Sequence, residues 1–155
     1  MALKLRKAHV TDIPAVFNGE LDYIQAWEAQ HEVAWRLDIE RHLRRWVDNF
    51  ARLTVAERAG EFAGYSMWSP AGEEAQLFTL NVSPAYRRSG IGRTLLDAYI
   101  SDALNSGYHR FVLSVRPDNP ARHLYEQAGF EYLGTDSNGY LRLVRQIGYG
   151  LDALQ

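Results

Sequence analysis

No cysteine occurs in the chain. That excludes disulfides, thiolate metal sites and a cysteine nucleophile, and it fits a reducing compartment. Neither sign of charge dominates, since the net charge is −2. There is therefore no broad basic field of the kind that draws nucleic acid or an anionic membrane. No apolar run is long enough to cross a bilayer, and the amino-terminal MALKLRKAHVTD is too polar for a secretory signal. The histidines at 9, 31, 42, 109 and 123 show no ligand spacing, so no metal is expected. Gly-x-Ser-x-Gly is absent, which leaves a serine hydrolase unsupported. These gaps leave a cytoplasmic protein with neither nucleic-acid nor membrane partners as the expectation.

What is present is enough for one core. With 155 residues, 46% hydrophobic and 23% charged, the chain reads as a single globular domain spanning 1–155. Its centre of organisation is LFTLNVSPAYRRSGIGRTLL, residues 77–96. Leu77, Leu80 and Val82 mark a strand that Ser83-Pro84 stops, because proline has no N–H for a ladder. Arg87-Arg88-Ser89-Gly90-Ile91-Gly92 follows, and then Leu95, Leu96, Tyr99, Ile100 and Leu104 recur at helical steps. Strand, basic glycine loop and helix in that order aim backbone N–H groups and a positive helix end at one point, an anion site. No Gly-Lys-Ser/Thr completes a nucleoside-triphosphate loop, and the third glycine of a dinucleotide fingerprint is missing.

Around this centre the pattern predicts a strand over residues 3–8, then a helix from Ile13 to about Gln30, capped by Thr11 and interrupted at Asn18-Gly19. A second helix is expected over 38–50. Strands at 53–58 and 62–68 are joined by a tight turn at Ala59-Gly60-Glu61, and Pro70-Ala71-Gly72 reads as another turn. Residues 111–115 form an apolar run suited to a strand buried on both faces. A helix over 121–128 ends at Gly129, and two strands close the pattern at 130–133 and 140–144. The order β-α-α-β-β-β-α-β-α-β-β gives an α/β (α+β) fold, a mixed sheet with helices on both faces.

A second motif, Asn119-Pro-Ala-Arg-His-Leu-Tyr125-Glu-Gln-Ala-Gly-Phe130, lies beyond the first. Together with Arg87-x-x-Gly90-x-Gly92 it resembles the GNAT family of N-acetyltransferases, and within it the branch of bacterial ribosomal-protein N-terminal acetyltransferases. The resemblance implies a mostly antiparallel sheet of six to seven strands, splayed between the fourth and fifth. It also implies acetyl-CoA as cosubstrate, with no metal, lying between the strand of Val82 and the strand of Val115. The loop amides from Arg88 through Ser89, Gly90, Ile91 and Gly92 to Arg93, with Arg87 before them, would take its pyrophosphate. Leu80, Asn81 and Val82 would offer main-chain groups to the pantetheine arm and thioester carbonyl. Asn119 would touch the cofactor, and Tyr125 would protonate the departing thiolate.

Attack by an amine requires its neutral form, and an alkylamine with a pKa of about 10.4 is mostly protonated at neutral pH. A base is therefore needed. Ser114 stands where the ribosomal-protein branch carries a glutamate base, and serine cannot serve unaided. Glu74, with Glu73 beside it, is the expected replacement, acting through a water. The spacing from Asn119 to Tyr125 is also one residue shorter than the family's, which puts Asp118 in the usual slot.

The acceptor side of such a fold falls on the first two helices and the late hairpin. Those regions hold Tyr23, Trp27, Trp35, Trp46, Tyr132 and Tyr140 with Glu20, Asp22, Glu28 and Glu32, a set suited to a cationic amine. The expected function is acetyl transfer from acetyl-CoA to a primary amine by direct attack. The loss of a base at Ser114 keeps a non-catalytic acyl-CoA-binding or partner-binding module on the same fold as the alternative. Homodimers are common in the family, and the tail over 149–155 is the expected contact segment.

Overall fold

The computed structural model describes residues 2–148. The tail expected to contact a second copy lies outside them. Seven strands form one sheet in the order β1-β2-β3-β4-β5-β7-β6. They are β1 (Leu3–Lys7), β2 (Leu53–Arg58), β3 (Glu61–Ala71), β4 (Glu74–Val82), β5 (Arg110–Val115), β6 (Glu131–Thr135) and β7 (Leu141–Gln146). All neighbours are antiparallel except β4 and β5, which run parallel. Among the described residues five α-helices accompany the sheet: α1 (Ile13–Trp27), α2 (Glu32–Leu37), α3 (Ile39–Asp48), α4 (Ile91–Asn105) and α5 (Ala121–Gln127).

The alternation of β2 and β3 sorts the helices onto two faces. Leu53, Val55, Tyr65 and Met67 point to one side, where Val16 of α1 and Trp46 of α3 cover them. Trp68, Leu77, Phe111 and Leu113 point to the other, against Leu96, Tyr99 and Ile100 of α4 and Tyr125 of α5. The buried stripe of α4 is the one its spacing predicts, with Leu95 and Leu96 wholly enclosed. Each such leucine contributes roughly 1.5–3 kcal/mol of burial.

Three local expectations are corrected. α1 runs unbroken through Gly19, because the missing side chain lets the helix lie on β3. A Cβ there would meet the Tyr65 hydroxyl at 2.6 Å. Pro70 is not in a turn but pairs with Ala75 near the end of β3, and the reversal falls at Gly72, with φ 64°. Thr11 is not the cap of α1. It sits in a single 3-10 turn, Val10–Asp12, and Asp12 precedes the helix. The sequence pattern also passes over α2, which is too short to show a period.

Asp12 anchors the start of α1. Its carboxylate accepts from Arg6 Nη1 at 2.7 Å, Arg6 Nη2 at 2.8 Å and the His9 amide at 2.8 Å. The Arg6 hydrogen bonds hold its pKa below the ordinary value against the opposing effect of burial. A depressed carboxylate stabilises the fold above its unfolded pKa and loses that contribution as the pH falls through the folded one. Asp12→Ala is therefore expected to cost about 2 kcal/mol at neutral pH. The deficit should shrink in acid, as urea denaturation at several pH values would measure.

Candidate active site

The site begins with an irregularity in β4. Leu77 faces Trp68 and Thr79 faces Met67, so Phe78 between them has no opposite residue. Such a bulge bends its strand. Pairing with β5 covers only Glu74–Gln76 against Arg110–Val112, and residues 77–82 have no strand on that edge. Their outward backbone groups face a gap instead of a ladder.

A cavity of about 830 Å³ occupies the gap. Its walls bring together Leu80, Asn81, Val82, Arg87, Arg88, Gly90, Ile91, Gly92, Arg93, Asn119 and Tyr125, residues drawn from β4, the loop before α4, the first turn of α4, the loop before α5 and α5. At one end the backbone turns left-handed at Arg88, φ 63°, and again at Gly90, φ 86°. The Thr94 amide bonds the Gly90 carbonyl, which leaves the Ile91, Gly92 and Arg93 amides as the free first turn of α4. The Ile91 side chain is buried in the core, so only its backbone can reach a ligand. A Cβ on Gly92 would lie 3.3 Å from Leu124, so that glycine lets α5 close over the helix start.

The three arginines divide their work. Arg87 Nε donates to the Val82 carbonyl at 3.0 Å, tying the loop to the end of β4. Arg93 pairs with Asp97 at 3.1 Å. Arg88 makes no side-chain bond among the described residues and has its charge available for an anion. Ser89 is not part of the cavity wall; its hydroxyl donates to the Tyr86 carbonyl. Asn119 faces the cavity and caps the start of α5, accepting from the Ala121 amide at 2.9 Å. Asp118, one residue earlier, is paired with Arg116 at 3.1 Å.

Tyr125 is 7% exposed, packs edge-on to Phe130 at 6.3 Å between centroids, and its hydroxyl has no hydrogen bond among the described residues. Burial alone pushes its pKa up to about 12. The phenol therefore stays protonated at neutral pH, and its one O–H is uncommitted.

Glu74 is placed elsewhere. It is absent from the cavity wall and accepts from Arg110 Nε at 2.6 Å, where the sheet is still closed. Leu80 lies about 20 Å further along the same strand. Glu74 is thus held at the closed end of β4, two residues before the wall begins at Gln76. Glu73 lies in a separate shallow hollow with Gly72 and Tyr108.

On the acceptor side, Tyr23, Trp27, Tyr140, Glu20 and Glu28 do line the cavity. The Tyr140 hydroxyl donates to Glu28. Burial, and secondly the Glu28 charge, raise the Tyr23 pKa. Trp46 and Trp35 belong instead to the core under α1 and α3, Trp35 stacking on His42 at 5.1 Å. Tyr132 is 62% exposed on β6, and Asp22 points to solvent. Glu32 is tied to Arg36 at 2.8 Å.

Two groups that the sequence pattern does not reveal hold Glu20: Thr79 in the wall, and Tyr65 behind it. Tyr65 donates to Glu20 Oε2 at 2.6 Å, and Thr79 donates to the same oxygen at 2.9 Å. Asn81 Nδ2 donates to the Gly19 carbonyl at 3.3 Å. Gly19 was the available signal, since a glycine inside a helical pattern marks a close approach.

Comparison with known proteins gives concordant matches. The family model described as the acetyltransferase (GNAT) family matches residues 20–130. A mycothiol acetyltransferase of Propionibacterium freudenreichii is 32% identical over 101 residues, covering 62% of this chain and 32% of that relative's length. A [ribosomal protein bS18]-alanine N-acetyltransferase of Haemophilus influenzae is 27% identical over 118 residues, covering 70% of this chain and 80% of the relative. Among solved structures, the PaiA N-acetyltransferase of Thermoplasma acidophilum in complex with coenzyme A superposes with a TM-score of 0.81. It is 17% identical, with 95% of this chain and 100% of that chain covered.

Proposed function

The chain belongs to the acetyltransferase (GNAT) family, and from that premise we propose that it moves acetyl from acetyl-CoA to a primary amine by direct attack, with Tyr125 as the acid. The observation that carries this reading is the continuity of one cavity. It runs from the free amides at the start of α4, along the unpaired edge of β4, to the Tyr125 hydroxyl. Those features fit acetyl-CoA in order. The pyrophosphate suits the amides of residues 91–93 with Arg88 beside them, charge meeting N–H donors at a helix start. The pantetheine amides suit the unpaired β4 backbone beyond Gln76, where a ladder strand would otherwise lie. Main-chain donors there also suit the charge that develops on the thioester oxygen.

Tyr125 then serves at the sulfur. A thiolate leaving group needs a proton, and a neutral phenol in a dry site supplies one without carrying charge beforehand. The acceptor enters from the α1 side, where Tyr23, Trp27 and Tyr140 offer faces for a cation and Glu28 an opposite charge. The Haemophilus influenzae relative, an alanine N-acetyltransferase, draws the acceptor class towards amines, and an alanine-initiated peptide is the first probe to try.

The test is thiol release from acetyl-CoA against alanine-initiated peptides, a lysine-containing blocked peptide and 1,4-diaminobutane, with acetyl-CoA affinity measured in parallel by calorimetry. Micromolar binding together with acceptor-dependent release is expected. Tight binding with no release on any amine would favour the non-catalytic acyl-CoA module.

A further inference from the structure

We propose that Glu20, on α1, is the general base that takes the proton from the acceptor ammonium. This rests on the transferase reading above and answers what that reading leaves open, the loss of a carboxylate at Ser114. Ser114 lines the cavity, and its hydroxyl makes no hydrogen bond among the described residues that would render it basic. Among the described residues, two carboxylates line the wall, Glu20 and Glu28. Glu28 is hydrogen-bonded to Tyr140, beside β7, and makes no hydrogen bond to β4 among the described residues. Glu20 lies against Thr79, the first residue past the bulge, and so beside the strand segment proposed for the thioester.

The arrangement around Glu20 is that of a held base. Both of its hydrogen-bond donors, Tyr65 and Thr79, come to Oε2, which leaves Oε1 without a partner among the described residues. One oxygen is thus fixed and the other is left to accept a proton. The seat is rigid, because Gly19 lets α1 close on Tyr65 and Asn81 fastens the Gly19 carbonyl to β4. Desolvation raises the carboxyl pKa against the opposing hydrogen bonds, which makes Glu20 a stronger base than a solvated glutamate. Tyr65 of β3 is the titratable group in contact with it, and Thr79 of β4 is a neutral donor. Tyr23, Glu28, Tyr125 and Tyr140 share the cavity.

The step balances as follows. The ammonium gives one proton to Glu20 Oε1. The freed nitrogen pair forms the C–N bond to the acetyl carbon, and the C–S bond breaks with its pair on sulfur. Sulfur takes a proton from Tyr125, and the nitrogen's surplus proton returns to the phenolate through water. Amide and thiol leave, and Glu20 releases its proton to solvent.

Glu20→Gln keeps an oxygen to accept from Tyr65 and Thr79 while removing the base, so the fold and the acetyl-CoA Kd should be unchanged. With an alanine-initiated peptide as acceptor, kcat/KM at neutral pH is expected to fall on the order of a hundredfold or more. It should then climb about tenfold per pH unit towards the amine's own pKa, where the wild type has already levelled. Tyr65→Phe, a positioning variant, should shift the acid limb of the wild-type profile without abolishing turnover. A Glu20→Gln enzyme with wild-type rate and profile would overturn the assignment, as would an equal loss at every pH. In both cases the transferase reading stands, because the wild type turns over. A wild type silent on every acceptor would overturn the transferase reading and the base together.

Discussion

Tyr125→Phe should lower kcat by roughly a hundredfold to a thousandfold while leaving the acetyl-CoA Kd within a factor of about two. The change removes one oxygen. The ring, which packs against Phe130 at 6.3 Å, is retained. The lost hydroxyl has no protein partner among the described residues, so its removal strands no buried donor or acceptor. The variant should therefore melt at or above the wild-type temperature. Loss of rate without loss of stability or of affinity is the pattern of a group used only as the C–S bond breaks. Steady-state thiol release, calorimetry and a thermal melt measure the three quantities. A rate within about threefold of the wild type would move the proton source elsewhere.

Gly90→Val is expected to weaken acetyl-CoA binding on the order of a hundredfold. Gly90 has φ 86°, and a β-branched residue cannot hold that conformation without strain of about 1–2 kcal/mol. No atom lies within 4 Å of a Cβ built there, so the effect is one of backbone strain, with no clash against the rest of the protein. The loop would relax out of its left-handed turn and carry the first α4 amides out of line. Losing one hydrogen bond to a charged group costs a further ~1.5–3 kcal/mol, and each 1.4 kcal/mol is a factor of ten. Calorimetric titration with CoA reads the change directly. Because α4 is held by Leu95, Leu96 and Tyr99 in the core, its helicity should survive. An unchanged affinity would remove the loop from the account of binding.

Much of this was legible in the chain, and the failures have physical causes. The α4 stripe and the β2–β3 turn at Ala59-Gly60 could be read because local geometry there depends on nearest neighbours, with φ 55° and 79° at the two turn residues. That the loop and Tyr125 meet in one cavity could be anticipated because their spacing is a motif. What could not be read depends on contacts between distant segments. Gly19 looks like a helix breaker until Tyr65 is seen to fill its place. Pro70 looks like a turn until its pairing with Ala75 is known. Glu74 is the base expected from the linear string, which shows neither the closed end of β4 nor the Arg110 that holds the carboxylate there.

The short seam between β4 and β5 has a consequence for the whole molecule. Three residue pairs join the half-sheet β1–β4 to the half-sheet β5–β7–β6, with Tyr99 of α4 pinning the Ala75 carbonyl at 2.6 Å. A thioester arm lying along residues 77–82 would complete that seam, its amides standing in for the missing rungs. The substrate is then also a keystone. Loaded protein should resist unfolding by more than its cavity contacts alone suggest, because two wings that otherwise meet at one edge become a continuous arch.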